Sequence, residues 1–270
     1  MNTVKQYIEN YIENYLSESL FDDEDVLSSA ERDKDIISKF LQETYWIHPK
    51  KYDIIESSDG SYIVNVQGFA SVADYEIESL TNGLFRFGTV KDVFDCSNCK
   101  KLTSLKGAPE HVGGDFCCAN CASLKTLEGA PKEVGKCFKC SGCDGLKTLE
   151  GVSEIISGEF DCFMCDNLVS LKGIPKKVTG NFSCAFCPKL KTLENGPEEV
   201  AGRFSCAGCD SLTSLKGCPS FIGSDLVTNY CPRLRNLNHV QHVSGTIFCK
   251  ECYKLKITDK DRDKWNIELT

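Results

Sequence analysis

The chain has 270 residues, of which 41% are hydrophobic and 26% charged, with a formal net charge of −8 and 18 cysteines. Such a composition is that of a water-soluble protein, and no run reaches the roughly 20 apolar residues a membrane-spanning helix needs. The acidity is uneven: residues 1–60 carry 14 acidic and 6 basic side chains, and the remaining 25 of each sign cancel. Neither part offers the basic surface that phosphates require, which argues against DNA or RNA as a partner. The opening residues are too polar for a secretory leader. A long, leaderless chain able to build its own core places the cysteines in a reducing cytoplasm rather than in a disulfide scaffold.

Residues 1–50 read as an acidic helical region. Val4, Tyr7, Ile8, Tyr11, Ile12, Tyr15, Leu16 and Leu20 recur at spacings of three and four, the stripe of an amphipathic helix. Its tyrosine face, Tyr7, Tyr11 and Tyr15, either packs on the rest of the protein or on a second copy, or serves a partner or a targeting role. The carboxylates of residues 22–25 lack the alternation and the glycine of a calcium loop and read as a solvated turn. A second helix starts at Ser28 or Ser29, turns Ile36, Ile37, Phe40, Leu41 and Tyr45 inward, and ends at Pro49.

From Lys51 the pattern alternates, with Ile54-Ile55, a turn at Asp59-Gly60 and Tyr62 to Val66, and so reads as short strands. Residues 51–93 are expected to form the N-terminal capping turn of the repetitive region that begins at Phe94. Residues 258–270 are expected to close the other end with a short capped helix carrying Trp265, Ile267 and Leu269. Asp259, Asp261 and Asp263 alternate as in a calcium loop, but Lys264 stands where glycine is required.

Between these ends, residues 94–257 repeat one 22-residue unit eight times. The clearest copy runs from Val112 through Phe116, Cys118, Cys121, Leu124, Leu127, Gly129 and Pro131 to the next valine, Val134. Cysteines recur at Cys96, Cys118, Cys140, Cys162, Cys184 and Cys206, with Thr228 substituting and Cys249 one residue early. A second series runs Cys99, Cys121, Cys143, Cys165, Cys187, Cys209, Cys231 and Cys252. A fixed period of this length marks a solenoid. Phe116-x-Cys118 alternates like a strand with both side chains inward, so stacked turns would build ladders from Phe94, Phe116, Phe138, Phe160, Phe182 and Phe204 and from the two cysteine series.

The unit Phe-x-Cys-x-x-Cys-x-x-Leu-x-x-Leu resembles the leucine-rich repeat, with Phe and the first Cys in the two strand leucine positions. The remainder, Leu-x-Gly-x-Pro-x-x-Val-x-Gly, is similar to a variant in phage-encoded proteins and, more loosely, in bacterial surface leucine-rich proteins. The resemblance implies a right-handed, parallel-stranded, curved repeat solenoid that binds proteins and has no inherent catalysis or cofactor. It also implies a phage product acting in the host cytoplasm. Residues 1–10 resemble the leader of internal head proteins of T-even-like phages, which implies a virion location as the alternative.

The cysteine spacing leaves three readings open: reduced thiols packed as small hydrophobes, zinc bridging adjacent turns, or disulfides. Cys117 points outward and is the candidate reactive thiol. No catalytic order of residues stands out, and no metal set is assigned. On the outward strand surface, where most residues are small, Phe163, Met164, Phe186, Tyr230 and Phe248 are large and apolar. They either anchor a protein partner or fill local space. Lysines and glutamates such as Lys106, Glu128, Glu150 and Lys172 read as the solvated opposite wall.

Overall fold

A computed structural model describes residues 28–78, 80 and 84–269. The stripe at residues 3–20, with Tyr7, Tyr11 and Tyr15, and the acidic turn at 22–25 lie outside the described residues. The described chain is a parallel-strand β-solenoid of about nine turns with little helix. Among the described residues no helix is long and apolar enough to cross a membrane.

The chain enters through α1, Ser29–Thr44. Ser28 and Glu31 close a reciprocal capping box: the Glu31 carboxylate accepts from the Ser28 N–H at 2.8 Å, and the Ser28 hydroxyl accepts from the Glu31 N–H at 3.3 Å. Ile36, Ile37, Phe40 and Leu41 are buried on its inner face. The helix stops before Pro49, because Trp46 takes a left-handed φ of 53° and the Ile47 N–H turns back to the Leu41 carbonyl at 3.1 Å. The antiparallel hairpin of β1, Tyr52–Glu56, and β2, Tyr62–Val66, follows the expected alternation and turn. Next come β3, Ala70–Ser71, and β4, Phe85–Val90, which adds in parallel to β2.

Each repeat then contributes two short strands to two walls. The first wall is a ten-stranded ladder starting at β3, continuing through Phe94–Asp95 and its equivalents, and ending with Thr246–Phe248 and Asn266–Glu268. Ala70 stands opposite Phe94, so this ladder begins one turn before the first phenylalanine. The second wall carries His111–Val112, Glu133–Val134 and Ile155–Ile156 on from β4. After a break it resumes with Lys177–Val178, Glu199–Val200 and Phe221–Ile222. The last copy is one residue short here, and the wall shrinks to a single bridge between Ile222 and Val243.

The register puts like on like. Phe94, Phe116, Phe138, Phe160, Phe182 and Phe204 stack with ring centroids 5.1–5.8 Å apart, close to the strand spacing of about 4.8 Å that imposes them. The column continues through Leu226 and Ile247, which are fully buried, to Ile267. Leu102, Leu124 and their equivalents as far as Leu234, and Leu105, Leu127 and theirs as far as Leu237, line the interior with at most 2% exposure. A buried phenylalanine or leucine contributes about 1.5–3 kcal/mol, so every turn adds a similar increment. At the entry end the columns are covered by an aromatic chain from α1, in which Phe40 meets Phe85, Tyr45 meets Phe87, and Phe87 meets Phe94 at 5.3 Å.

Outside, the walls carry ion pairs from one turn to the next, among them Lys106–Glu128, Lys172–Glu150 and Lys177–Glu199 at 3.4, 2.7 and 3.0 Å. These three are exposed on both sides, and exposed pairs of this kind contribute little to stability.

Candidate interaction surface

The cysteines are hydrogen-bond donors. Each thiol of the second series reaches back to the preceding turn and donates to the carbonyl at the first-series position. Cys121 donates to Cys96, Cys143 to Cys118, Cys165 to Cys140, Cys187 to Cys162, Cys209 to Cys184 and Cys231 to Cys206, at 3.0–3.4 Å. Cys99 treats Val72 and Cys252 treats Thr228 in the same way, both at 3.0 Å. No described backbone N–H donates to the carbonyls of Cys96, Cys118, Cys140, Cys162, Cys184 or Cys206. The narrow turn therefore needs a small, mostly apolar side chain that can still donate one bond, and cysteine supplies both. Thr228 fits the same rule: its hydroxyl donates to the Phe248 carbonyl at 3.1 Å, as the Cys162 thiol donates to Ser183 at 3.3 Å.

Burial keeps the first-series thiols in their protonated form. It is the first cause raising Cys96, Cys140, Cys162, Cys184 and Cys206 well above the ordinary thiol range, and it pushes Cys231 up to about 12. For Cys118 a side-chain hydrogen bond with the Cys143 thiol comes first and burial second. Metal binding and nucleophilic attack both require thiolates. No three described His, Cys, Asp or Glu side chains are grouped to hold a metal ion. Cys117 does face outward, but it is half-buried and burial raises its thiol too, so its placement does not activate it. His242 stacks on Phe221, with ring centroids 5.0 Å apart.

The surface feature that stands apart lies two residues after each first cysteine. There the backbone is left-handed in every turn: Asp74, Asn98, Asn120, Gly142, Met164, Phe186, Gly208, Tyr230 and Glu251, with φ between 55° and 67°. Asparagine and glycine are ordinary occupants of this region, whereas a bulky side chain there is strained. Met164, Phe186 and Tyr230 nonetheless occupy it with 51%, 44% and 47% exposure. Phe163 is half-buried beside them, its ring edge-on to Phe186 at 5.3 Å. The Phe186 ring lies over Gly208 of the next turn, where an added Cβ would come within 2.6 Å of it. The Asp161 carboxylate accepts from the Phe163 N–H at 3.0 Å and steadies the bend; burial raises its carboxyl, against that bond.

The structure thus brings Phe163, Met164 and Phe186 together, continues them across Gly208, and places Tyr230 in the same column two turns past Phe186, about 10 Å along the axis. Phe248 is half-buried in the strand wall opposite Val227, outside this column. Gly142 and Gly208, which flank the aromatic stretch, were not singled out by sequence reasoning. The signal that finds them is Asn98, Asn120, Gly142 and Gly208 sharing one phase of the period.

No family model, characterised protein or solved structure matches this chain. The fold and the surface define it as a cysteine-laddered parallel β-solenoid that displays large apolar side chains on a left-handed column.

Proposed function

We propose that this protein is a non-enzymatic binding module that holds a protein partner through the strip formed by Phe163, Met164, Phe186 and Tyr230. The observation that carries the reading is the left-handed backbone under the last three. Each costs about 1 kcal/mol relative to asparagine or glycine, which neighbouring turns use freely. Side chains that only filled space would not be half-exposed at strained positions, and strain of this kind gathers where ligands are held. The rings and the thioether present a rigid apolar ridge suited to apolar side chains of a partner protein. A reducing compartment suits the module, because oxidation would remove thiol donors that interior carbonyls depend on.

The test replaces Met164, Phe186 and Tyr230 together with Asn in the full chain. The variant is expected to melt at or above the wild-type temperature and to lose the proteins that wild type retains as bait. A fall of several degrees would show that the three side chains support the fold. Unchanged capture at unchanged stability would remove the strip as the binding surface.

A further inference from the structure

The two ends of the solenoid are finished differently. At the entry end α1 and its aromatic chain cover the interior columns. At the exit end those columns emerge: Cys252, Leu255, Ile257 and Ile267 are only half-buried, Leu269 is 43% exposed and Tyr253 77%. Two adjoining grooves of about 640 and 560 Å³ open there and share Tyr253 and Leu255. Lys250 and Arg262, with Glu251, border one; Arg235, Lys254 and Lys256 border the other, which has no acidic residue. None of these five cations is in an ion pair with another described residue, unlike the wall lysines Lys106, Lys172 and Lys216, each of which meets a glutamate of a neighbouring turn.

An apolar groove rimmed by unpaired cations fits an apolar stripe flanked by carboxylates, and this chain contains one. The stripe from Val4 to Leu20 runs beside Glu9, Glu13 and Glu18 and leads into Asp22, Asp23, Glu24 and Asp25, against which only Lys5 is basic. We infer that residues 3–20 of one molecule dock in the exit-end groove of another, joining copies head to tail. Seating the whole stripe, through Leu20, in the groove of the same molecule is out of reach. Ten strands, from Ala70–Ser71 to Asn266–Glu268, separate the ends by about 43 Å at the usual spacing. The eight steps from Leu20 to Ser28 span at most about 29 Å. The two surfaces differ, so the contact is heterologous: each docked pair leaves one head and one tail free, and assembly continues or closes into a ring.

Sedimentation of three full-length proteins tests this: wild type, a head variant Y11D/Y15D and a tail variant Y253D/K254E, the two tail sites being exposed. Wild type is expected to grow past the dimer as concentration rises, and to lose the larger species as added salt screens the carboxylates and cations. Each variant alone is expected to remain monomeric, and an equimolar mixture to stop at the dimer, since only one intact head and one intact tail can meet. A tail variant that still associates like wild type would overturn the inference and mean that the tyrosine stripes pair with one another. A wild type that stays monomeric up to its solubility limit would overturn it as well, placing the stripe on its own chain.

Discussion

The solenoid has two columns of left-handed residues, and they obey opposite rules. One consists of Gly107, Gly129, Gly151, Gly173, Asn195 and Gly217, at the bend after the second leucine. A Cβ on Gly151 would run into the backbone of Leu127 and Glu128 in the preceding turn, and one on Gly173 into that of Leu149. The other column, from Asn98 to Glu251, has the same backbone handedness but opens to solvent, and there Met164, Phe186 and Tyr230 are admitted. The same dihedral angle is thus a packing requirement where turns touch and a display platform where they do not. Glycine marks the first case, and its replacement by a large residue marks the second.

The largest expected effect dissolves the interior on which both columns rest. Unfolded thiols ionise near pH 8.5, so the buried thiols add stability that is complete below about that pH and is lost above it. Between there and their raised folded values, each of Cys96, Cys118, Cys140, Cys162, Cys184 and Cys206 removes about 1.4 kcal/mol per pH unit. Urea midpoints should therefore fall steeply from about pH 8.5 upward; a flat profile to pH 10 would show that the thiols are not protonated packing groups.

A paired substitution separates the columns. Gly151→Ala should cost about 3 kcal/mol, because backbone must move as well as rotate. Gly142→Ala, where an added Cβ would clash only with the movable Asn120 side chain, should cost about 1 kcal/mol. Equal losses in denaturant titrations would mean that the outer column is as constrained as the inner. The smallest effect lies two residues beyond Gly151. Ser153 replaces the proline of Pro109, Pro131, Pro175, Pro197 and Pro219, and its buried hydroxyl finds no partner. Ser153→Pro should raise stability by about 0.5–1 kcal/mol, and a lower melting temperature would show that this turn rejects the ring.

The period, the phenylalanine column and the inward leucines could be read directly, because a side chain stacked on its own equivalent must repeat in type. The second wall could not. Its strands are only two residues long, and in pairs such as His111–Val112 and Lys177–Val178 only the inner residue keeps its type. The turn starting at Ala70 was legible only in the apolar spacing of Ile77, Leu80, Leu84, Phe87 and Val90; its strand was not, because Ala70 and Val72 stand where later turns carry phenylalanine and the first cysteine, and it lies 24 residues before Phe94. Spacing showed that the cysteines were structural in rhythm but not that they donate bonds, so Thr228 read only as a substitution, when it keeps the donor. In the surface strip, Met164, Phe186 and Tyr230 were visible by size. Their strain became visible only from the asparagines and glycines in phase with them.

The thiol bonds also bear on inheritance. Cys121 to Cys96 and Cys231 to Cys206 span the same 25 residues, one period plus the distance between the two cysteines. A gene segment encoding one whole period can be duplicated or deleted by unequal crossing-over and still leave every thiol facing a carbonyl. Copy number is therefore a trait this lineage can change in a single event, whereas a partial repeat breaks the phase of every later turn.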